Sequence, residues 1–449
     1  MSTMPAALGG DPVVTAEDAP IWPLSGLIET AALTEVTDSG QWVGFSHVPA
    51  KWRAILEQVV ADTTGYRYGV GQPNGTLAIA SGLRAQLRRR GLEWADGRDE
   101  VLVADLTHAS AHHGVRLGVA AELGRTPTLV PIDARPDATM DSEVVADYLD
   151  RHADRVLTVV PATMYGNFGP IEEIVELGER HDVAVHHDNA LGGAARYDGR
   201  PAPTASISAH GEGKATPSCE GGMVVATDPY LAALVRADTD CGNGPERGDP
   251  IPAADLGPVP AGNQRMGEQP AVLMLVQWLR ALHYRLQVRE NRRVITDLVR
   301  DRGRFPTPVL WVPPVDAEYP PFFCLYMLCT EALEDEWGLT PDDLRLALTA
   351  EGIWAEAGFT PTHQDPAWST CVGGAELSYP GSTLVHDRAI FIHNKFLRHP
   401  DFPVWLDRVF EKIREHKGDL AGIAERSPGF TADRVTNPIV RSAGHRRGL

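Results

Sequence analysis

Between residues 66 and 227 the chain repeats one pattern, and that pattern restricts the fold more than any other feature. Short apolar runs recur at Tyr66–Gly71, Val101–Ala104, Thr128–Ile132, Val156–Val160, Val183–His187, Thr204–Ser208 and Gly222–Thr227. Helix-length segments separate most of them, at Thr76–Arg90, Thr107–Leu123, Ser142–Arg151 and Ile171–His181. The apolar runs are unbroken, without polar residues at every second position. A strand of that kind is buried on both faces, so the pattern predicts an α/β fold with a mostly parallel sheet covered by helices. Such sheets bind ligands beyond the carboxyl ends of their strands. Gly75-Thr76, Thr107-His108, Tyr165-Gly166 and Asp188 each follow a predicted strand end, and so are expected to line one crevice.

The rest of the chain adds to this frame. Its 449 residues exceed one ordinary domain and suggest a large and a small one. Helices are expected over Leu27–Thr37, Ala50–Asp62 and Gln269–Arg300, the last with Pro270 in its first turn. Beyond Pro306 the texture changes to short runs at Val309–Val312, Phe322–Leu328 and Ala389–His393, with a helix at Pro341–Glu351. The expected division is an N-terminal arm and helix (1–50), a large α/β domain (51–285), a smaller α+β domain (286–425) and a polar, basic tail (426–449). A Gly/Pro-rich stretch at 240–265 is long enough to be a functional excursion.

The formal charge of -19 disfavours nucleic acid and anionic membranes as partners. The five cysteines are scattered, as suits a reducing compartment. No secretory leader pattern and no bilayer-length apolar run is visible, so a cytoplasmic protein is expected. Lysine is scarce: between Lys51 and Lys395 there is only Lys214, in the loop HGEGKATPSCEGG. Arginine stays protonated and cannot form an imine, whereas a lysine can lose its proton in a suitable site. Lys214 is therefore a candidate for carbonyl chemistry. Asp188 follows a buried run; it can hold a protonated ring nitrogen, or simply cap a turn. Asn74-Gly75-Thr76 opens a helix and suits a phosphate, or a plain N-cap. His108 and His112 have the i, i+4 spacing of paired metal ligands, with His186, His187 or Asp188 as possible thirds. No HExxH pattern accompanies them, so no metal site is expected, and a ring stacked on a planar group is the better use of one histidine.

In their order along the chain, these pieces resemble one family. They are NGT (Asn74–Thr76), DEVLV (Asp99–Val103), TH (Thr107–His108) and MYGN (Met164–Asn167). DNALGGAARYDG from Asp188, Lys214 with CEGGM (Cys219–Met223), and NQRM (Asn263–Met266) follow. The set resembles the DegT/DnrJ/EryC1/StrS aminotransferases, vitamin-B6-dependent enzymes acting on nucleotide sugars and cyclitols, over roughly residues 10 to 370. The opening LGGDPV and IWP resemble its cyclitol aminotransferase and aminohydroxybenzoate synthase branch, which serves antibiotic pathways.

The resemblance implies an aspartate-aminotransferase-like fold (fold type I) and pyridoxal 5'-phosphate as cofactor. Lys214 would bind the cofactor as an imine and shuttle the proton, and Asp188 would pair with the pyridine nitrogen. Gly75 and Thr76 would hold the phosphate, and His108 would stack on the ring. Asn263 would reach the phosphate of a second subunit, implying a homodimer with shared sites. Tyr165 and His363 would face the substrate. The implied reaction moves an amino group from glutamine or glutamate to a keto-sugar or keto-cyclitol. The rivals are dehydration or aromatisation on the same fold, a non-catalytic homologue, or a metal hydrolase. Dehydratases of this kind carry histidine in place of the lysine, which Lys214 argues against. Three positions depart from the family pattern. Leu191 stands where Gln or His is usual, His187 where an acid is usual, and Ala209 where a phosphate-binding serine is usual; Ser208 is the expected replacement.

Overall fold

The computed structural model describes residues 3–44, 50–210, 213–243, 256, 261–300, 309–313 and 323–427. Seven strands form the larger sheet: β1 (Tyr68–Gln72), β2 (Glu100–Ala104), β3 (Thr128–Ile132), β4 (Val156–Val160), β5 (Ala184–Asp188), β6 (Thr204–Ser208) and β7 (Gly222–Ala226). Their spatial order is β1-β7-β6-β5-β4-β2-β3, and only β7 runs against its neighbours. The inner strands are buried along their whole length, as unbroken apolar runs require.

Among the described residues, eight helices belong to this part: α1 (Leu27–Ser39), α2 (Lys51–Thr64), α3 (Gly75–Arg90), α4 (Ala109–Leu123), α5 (Ser142–His152), α6 (Ile171–Arg180), α7 (Pro229–Thr239) and α8 (Glu268–Arg300). Close packing holds α3 in place. A Cβ at Gly114 of α4 would lie 2.8 Å from Ile79 and from the Thr76 carbonyl, and one at Gly118 would lie 2.8 Å from the Ala80 carbonyl. On the sheet side, a Cβ at Gly82 would lie 2.4 Å from the His186 ring. Glycine at these three positions lets α3 lie flat between α4 and β5.

Helix α7 has no counterpart in the sequence expectation. Most of its residues from Leu231 to Thr239 are buried, so it shows no polar face for a periodicity to reveal. Helix α4 begins two residues later than expected, because His108 is extended and its ring accepts the Ser110 amide as an N-cap. The stretch 240–265 falls largely outside the described residues. Its two ends are tied together by Cys241 N–H to the Gly262 carbonyl and Gln264 N–H to the Thr239 carbonyl, both 2.8 Å. The polar tail from 428 onward also lies outside them.

The smaller sheet is antiparallel, in the order β10-β11-β9-β8. Its strands are β8 (Leu310–Trp311), β9 (Cys324–Cys329), β10 (Ala355–Ala357) and β11 (Ala389–His393). Around it lie α9 (Ala332–Trp337), α10 (Pro341–Ala350), α11 (Pro380–Arg388), α12 (Asn394–Leu397) and α13 (Phe402–Glu415). One face of this sheet, with Leu325, Met327, Ile390 and Ile392, joins the largest apolar core beside α10 and α13. The other, with Cys324, Tyr326, Leu328 and Phe391, packs on Leu106, Met164, Tyr165 and Leu191. Those four residues follow β2, β4 and β5, so the smaller sheet lies against the carboxyl ends of the larger one. The N-terminal arm is fixed to the same half of the molecule. Buried Glu351 accepts the amides of Ala6 (2.8 Å) and Val13 (2.9 Å) and the Lys412 ammonium (2.9 Å). No helix among the described residues is long and apolar enough to cross a membrane.

Candidate active site

The start of α3 meets the end of β6 and the start of β7. Gln72 at the end of β1 pairs with Gly222, which pairs in turn with Ser208 at the end of β6. The chain leaving β1 thus passes directly over this row. A Cβ on Gly222 would lie 2.4 Å from the Asn74 carbonyl group, and one on Gly75 would lie 2.6 Å from the Ser208 Cβ and 2.7 Å from its Oγ. Asn74 caps α3, its Oδ1 accepting the Leu77 amide at 2.9 Å. The Gly75 and Thr76 amides precede the first helical hydrogen bond, and the Ser208 hydroxyl lies beside them. This is a cradle for a small anion. Ala209, by contrast, is fully buried in the apolar core.

Asp188 ends β5 at 5% exposure, with one oxygen accepting the Ala190 amide at 3.1 Å. Burial raises its pKa, and the charge of Lys214 opposes the rise. Lys214 feels the reciprocal effects. Burial lowers its pKa to about 8, and Asp188 resists the fall. His108 and His210 are each held below the ordinary histidine value, first by burial and then by the positive charge of Lys214. Four side chains from three separate connections, His210 and Lys214 sharing the one between β6 and β7, therefore lie in one electrostatic neighbourhood. A lysine with a pKa near 8 has an appreciable unprotonated fraction at neutral pH and is a competent nucleophile.

The two histidines before Asp188 are structural. His186 Nδ1 meets Thr204 Oγ1 at 2.8 Å, and His187 Nε2 meets Thr163 Oγ1 at 2.7 Å. Burial pushes both down to about 3, so they are neutral. His112 packs into the interior. Its ring stacks on Trp368 at 4.8 Å and its Nε2 meets Thr362 Oγ1 at 2.9 Å. Among the described residues no group of three or more His, Cys, Asp or Glu is placed to hold a metal ion.

Tyr165 departs from the expectation that it faces substrate. Its ring is fully buried, with the backbone at φ +52° turning it inward. It stacks on Tyr326 at 4.9 Å, and its hydroxyl accepts the Phe359 amide at 2.8 Å. Tyr165 therefore supports the wall of the crevice from behind. His363 is held firmly: its Nδ1 lies 2.7 Å from Asp105 Oδ2, its amide donates to Oδ1 at 2.9 Å, and its ring stacks on Tyr379 at 4.2 Å. Asp105 follows β2 and is fully buried. Asn263 is exposed and bridges to Asp240. Leu191 is buried in the apolar cluster under the smaller sheet.

The chain matches the DegT/DnrJ/EryC1/StrS aminotransferase family over residues 27–398. It is a member of that family. As an aminotransferase of this family it is an enzyme. It is 25% identical over 442 residues to a protein of Streptoalloteichus tenebrarius named as an L-glutamine:3-amino-2,3-dideoxy-scyllo-inosose aminotransferase, spanning 92% of this chain and 97% of that one. Among solved structures, 3-amino-5-hydroxybenzoic acid synthase superposes with a TM-score of 0.70 at 20% identity, over 91% of this chain and 100% of that one. DesI, solved with its TDP-sugar product, superposes with a TM-score of 0.69 at 21% identity, over 94% and 98%. These likenesses show the fold, which is fold type I of the pyridoxal-phosphate enzymes.

Two features of the aminotransferase lay beyond sequence reasoning. Asp105 supports His363 from 258 positions away. Phe359 joins His108 to the Tyr165 cluster, with ring centres 6.4 Å from the one and 5.6 Å from the other. Neither pairing has a local signal.

Proposed function

We propose that this aminotransferase uses pyridoxal 5'-phosphate to move an amino group from glutamine or glutamate to the ketone of a cyclitol or sugar, in antibiotic-type secondary metabolism. The observation that carries the reading is the Lys214–Asp188 pair beside the anion cradle at Gly75. The residues fit the cofactor. The cradle is too tight for any residue but glycine at 75 and is flanked by Ser208. Behind it lies a buried carboxylate, and next to that a lysine of lowered pKa. When bound, pyridoxal phosphate supplies an aldehyde for nitrogen exchange and an electron-accepting ring.

The chain's own residues divide the remaining work. The Gly75 and Thr76 amides and the Ser208 hydroxyl bind the phosphate. Asp188 keeps the ring nitrogen protonated, aided by its burial, which strengthens any charge pairing made there. Lys214 anchors the cofactor between turnovers. Once displaced, its amine takes the proton from the donor's α-carbon and returns it on the other side of the reaction. His108 would stack on the cofactor ring. Asp105, fixed on Nδ1 of His363, leaves Nε2 to meet an acceptor hydroxyl. Exposed Asn263 reaches the phosphate of a second copy, making the enzyme a homodimer with shared sites. In this reading residues 51–285 bind the cofactor, 286–425 close the crevice, 1–50 form the arm, and the enzyme works in the cytoplasm.

Incubation with glutamine labelled at its amino nitrogen and a panel of keto-cyclitols and nucleotide keto-sugars tests the proposal. Label in the product amine, with release of the 2-oxo acid, is expected. Loss of water from the acceptor without nitrogen uptake would move the enzyme to the elimination class.

A further inference from the structure

Residues 213–219, which carry Lys214, form no helix or strand of their own. Two contacts fix the residue next to the lysine. The Ala215 methyl rests against Gly193, where an added Cβ would stand 2.8 Å away. Gly193 belongs to the loop that leaves β5 after Asp188. The second contact comes from the smaller half of the molecule. Arg398, directly after α12, donates from Nη2 to the Ala215 carbonyl at 2.6 Å. Ala215 is thus tied to the Asp188 loop and to Arg398 together.

Arg398 is itself held by rings. Its guanidinium lies 4.3 Å from the Trp22 ring and 6.0 Å from the Tyr284 ring of α8. Trp22 is the buried middle residue of the IWP segment in the arm, and its ring also meets His393 edge-on at 5.8 Å. The arm therefore reaches the neighbour of Lys214 through one side chain. That side chain is an expensive way to fill space. Arg398 is 6% exposed, and its Nε and Nη1 have no hydrogen-bond partner among the described residues. Burial lowers its pKa to about 9. A methionine would pack on the same rings without an uncompensated charge. What the guanidinium adds is a charge-assisted bond to the chain beside Lys214. Lys214 has to release the cofactor and take it back at each turnover, so its reach depends on where its backbone stands. Displacing a reacting group by about 1 Å is enough to cost roughly a hundredfold in rate.

We propose that Arg398, seated on Trp22 of the arm, is a positioning residue for Lys214: it fixes the main chain at Ala215 so that the amine returns to one place. This rests on the reading that Lys214 carries the cofactor. Among the described residues, Gly75, Thr76, Ser208 and Asp188 are not partners of Arg398. Binding that does not involve Lys214 should therefore be indifferent to it.

The test is fluorescence titration of the cofactor-free enzyme with two forms of the cofactor. Pyridoxal phosphate bonds to Lys214, whereas pyridoxamine phosphate has no aldehyde to offer the lysine. The wild type should hold the aldehyde form more tightly. Arg398→Met should weaken the aldehyde form by about tenfold or more and the amine form by less than about twofold, as loss of one charge-assisted hydrogen bond beside the lysine requires. Arg398→Lys keeps a donor and a cation for the Trp22 ring, and should recover most of the difference. Trp22→Leu keeps the donor without its seat, and should lose part of it. Thermal unfolding of each cofactor-free variant reports its folding; should Arg398→Met not fold, the other two variants decide. A parallel loss of both forms marks a merely structural role and overturns the assignment, as does a wild-type ratio in Arg398→Met or in Trp22→Leu. Equal affinity of the wild type for the two forms would overturn the lysine reading itself, so the two failures are told apart.

Discussion

Replacing Gly75 with alanine puts a methyl group into the cradle at the start of α3. The added Cβ would stand 2.6 Å from the Ser208 Cβ, where ordinary contact begins at 3.4 Å. Neither atom can rotate away, because each is fixed by its backbone. The helix start and the end of β6 must therefore separate by roughly 1 Å, a displacement of the kind that costs about 1–3 kcal/mol when a packed core is overfilled. The same shift carries the Gly75 and Thr76 amides away from the Ser208 hydroxyl. Losing one hydrogen bond to a charged phosphate removes about 1.5–3 kcal/mol of binding, or roughly 10- to 150-fold in affinity. Denaturant unfolding of the cofactor-free chain measures the first effect, and fluorescence titration with pyridoxal phosphate the second. Ser208→Ala should weaken cofactor binding without the packing cost, since the Cβ it keeps already fits beside glycine. Gly75→Ala with Ser208→Gly should recover stability but not affinity. If Gly75→Ala binds the cofactor as tightly as the wild type, the cradle has been assigned to the wrong place.

Two further predictions concern charge. Lys214 titrates at about 8 in the folded chain, against an ordinary value of 10.5. Below about pH 8 both folded and unfolded chains hold this proton, and the cost of burying it is fully felt. Between about 8 and 10.5 only the unfolded chain holds it, so stability of the cofactor-free enzyme should rise with pH. Relative to Lys214→Met, the gain should be on the order of 1–3 kcal/mol, reduced by the partial exposure of the side chain. A flat difference between pH 7 and pH 10 in paired denaturant titrations would contradict the lowered pKa. Glu351→Ala leaves the buried Lys412 ammonium and the Ala6 and Val13 amides without their acceptor. The expected cost is about 3–5 kcal/mol, with limited proteolysis cutting the arm before residue 24; an intact arm would show that other contacts hold it.

Much of the larger sheet can be read from the chain. Thr128–Ile132, Val156–Val160 and Thr204–Ser208 are strands with the expected bounds, because an unbroken apolar run between helices has few other places to go. The same holds for Ala389–His393 in the smaller sheet. Helix α7 was illegible for the opposite reason: a helix buried on nearly all sides carries no stripe. Among the site residues, Lys214 stands out through lysine scarcity and Asp188 through its place at the end of an apolar run. The inward turn of Tyr165 depends on a left-handed backbone that tyrosine rarely adopts, and nothing local announces it. Arg398 follows a helix of four residues, too short for a period to be seen. Its partners come from the arm, α8 and the connection between β6 and β7, and only the folded chain brings them together. The Asp105–His363 pair is of the same kind.

The central claim is that Lys214 carries the cofactor, and it has a direct test. The pyridoxal-phosphate-loaded enzyme is reduced with borohydride and digested, and the modified lysine is located by mass spectrometry. Lys395 on α12 is an internal control, since burial also lowers its pKa to about 8 but the charge of Asp188 has no part in that shift. The account predicts a pyridoxyl group on Lys214 and none on Lys395, and loss of the visible cofactor band in Lys214→Ala. A label on another lysine, or a band that survives Lys214→Ala, would contradict it.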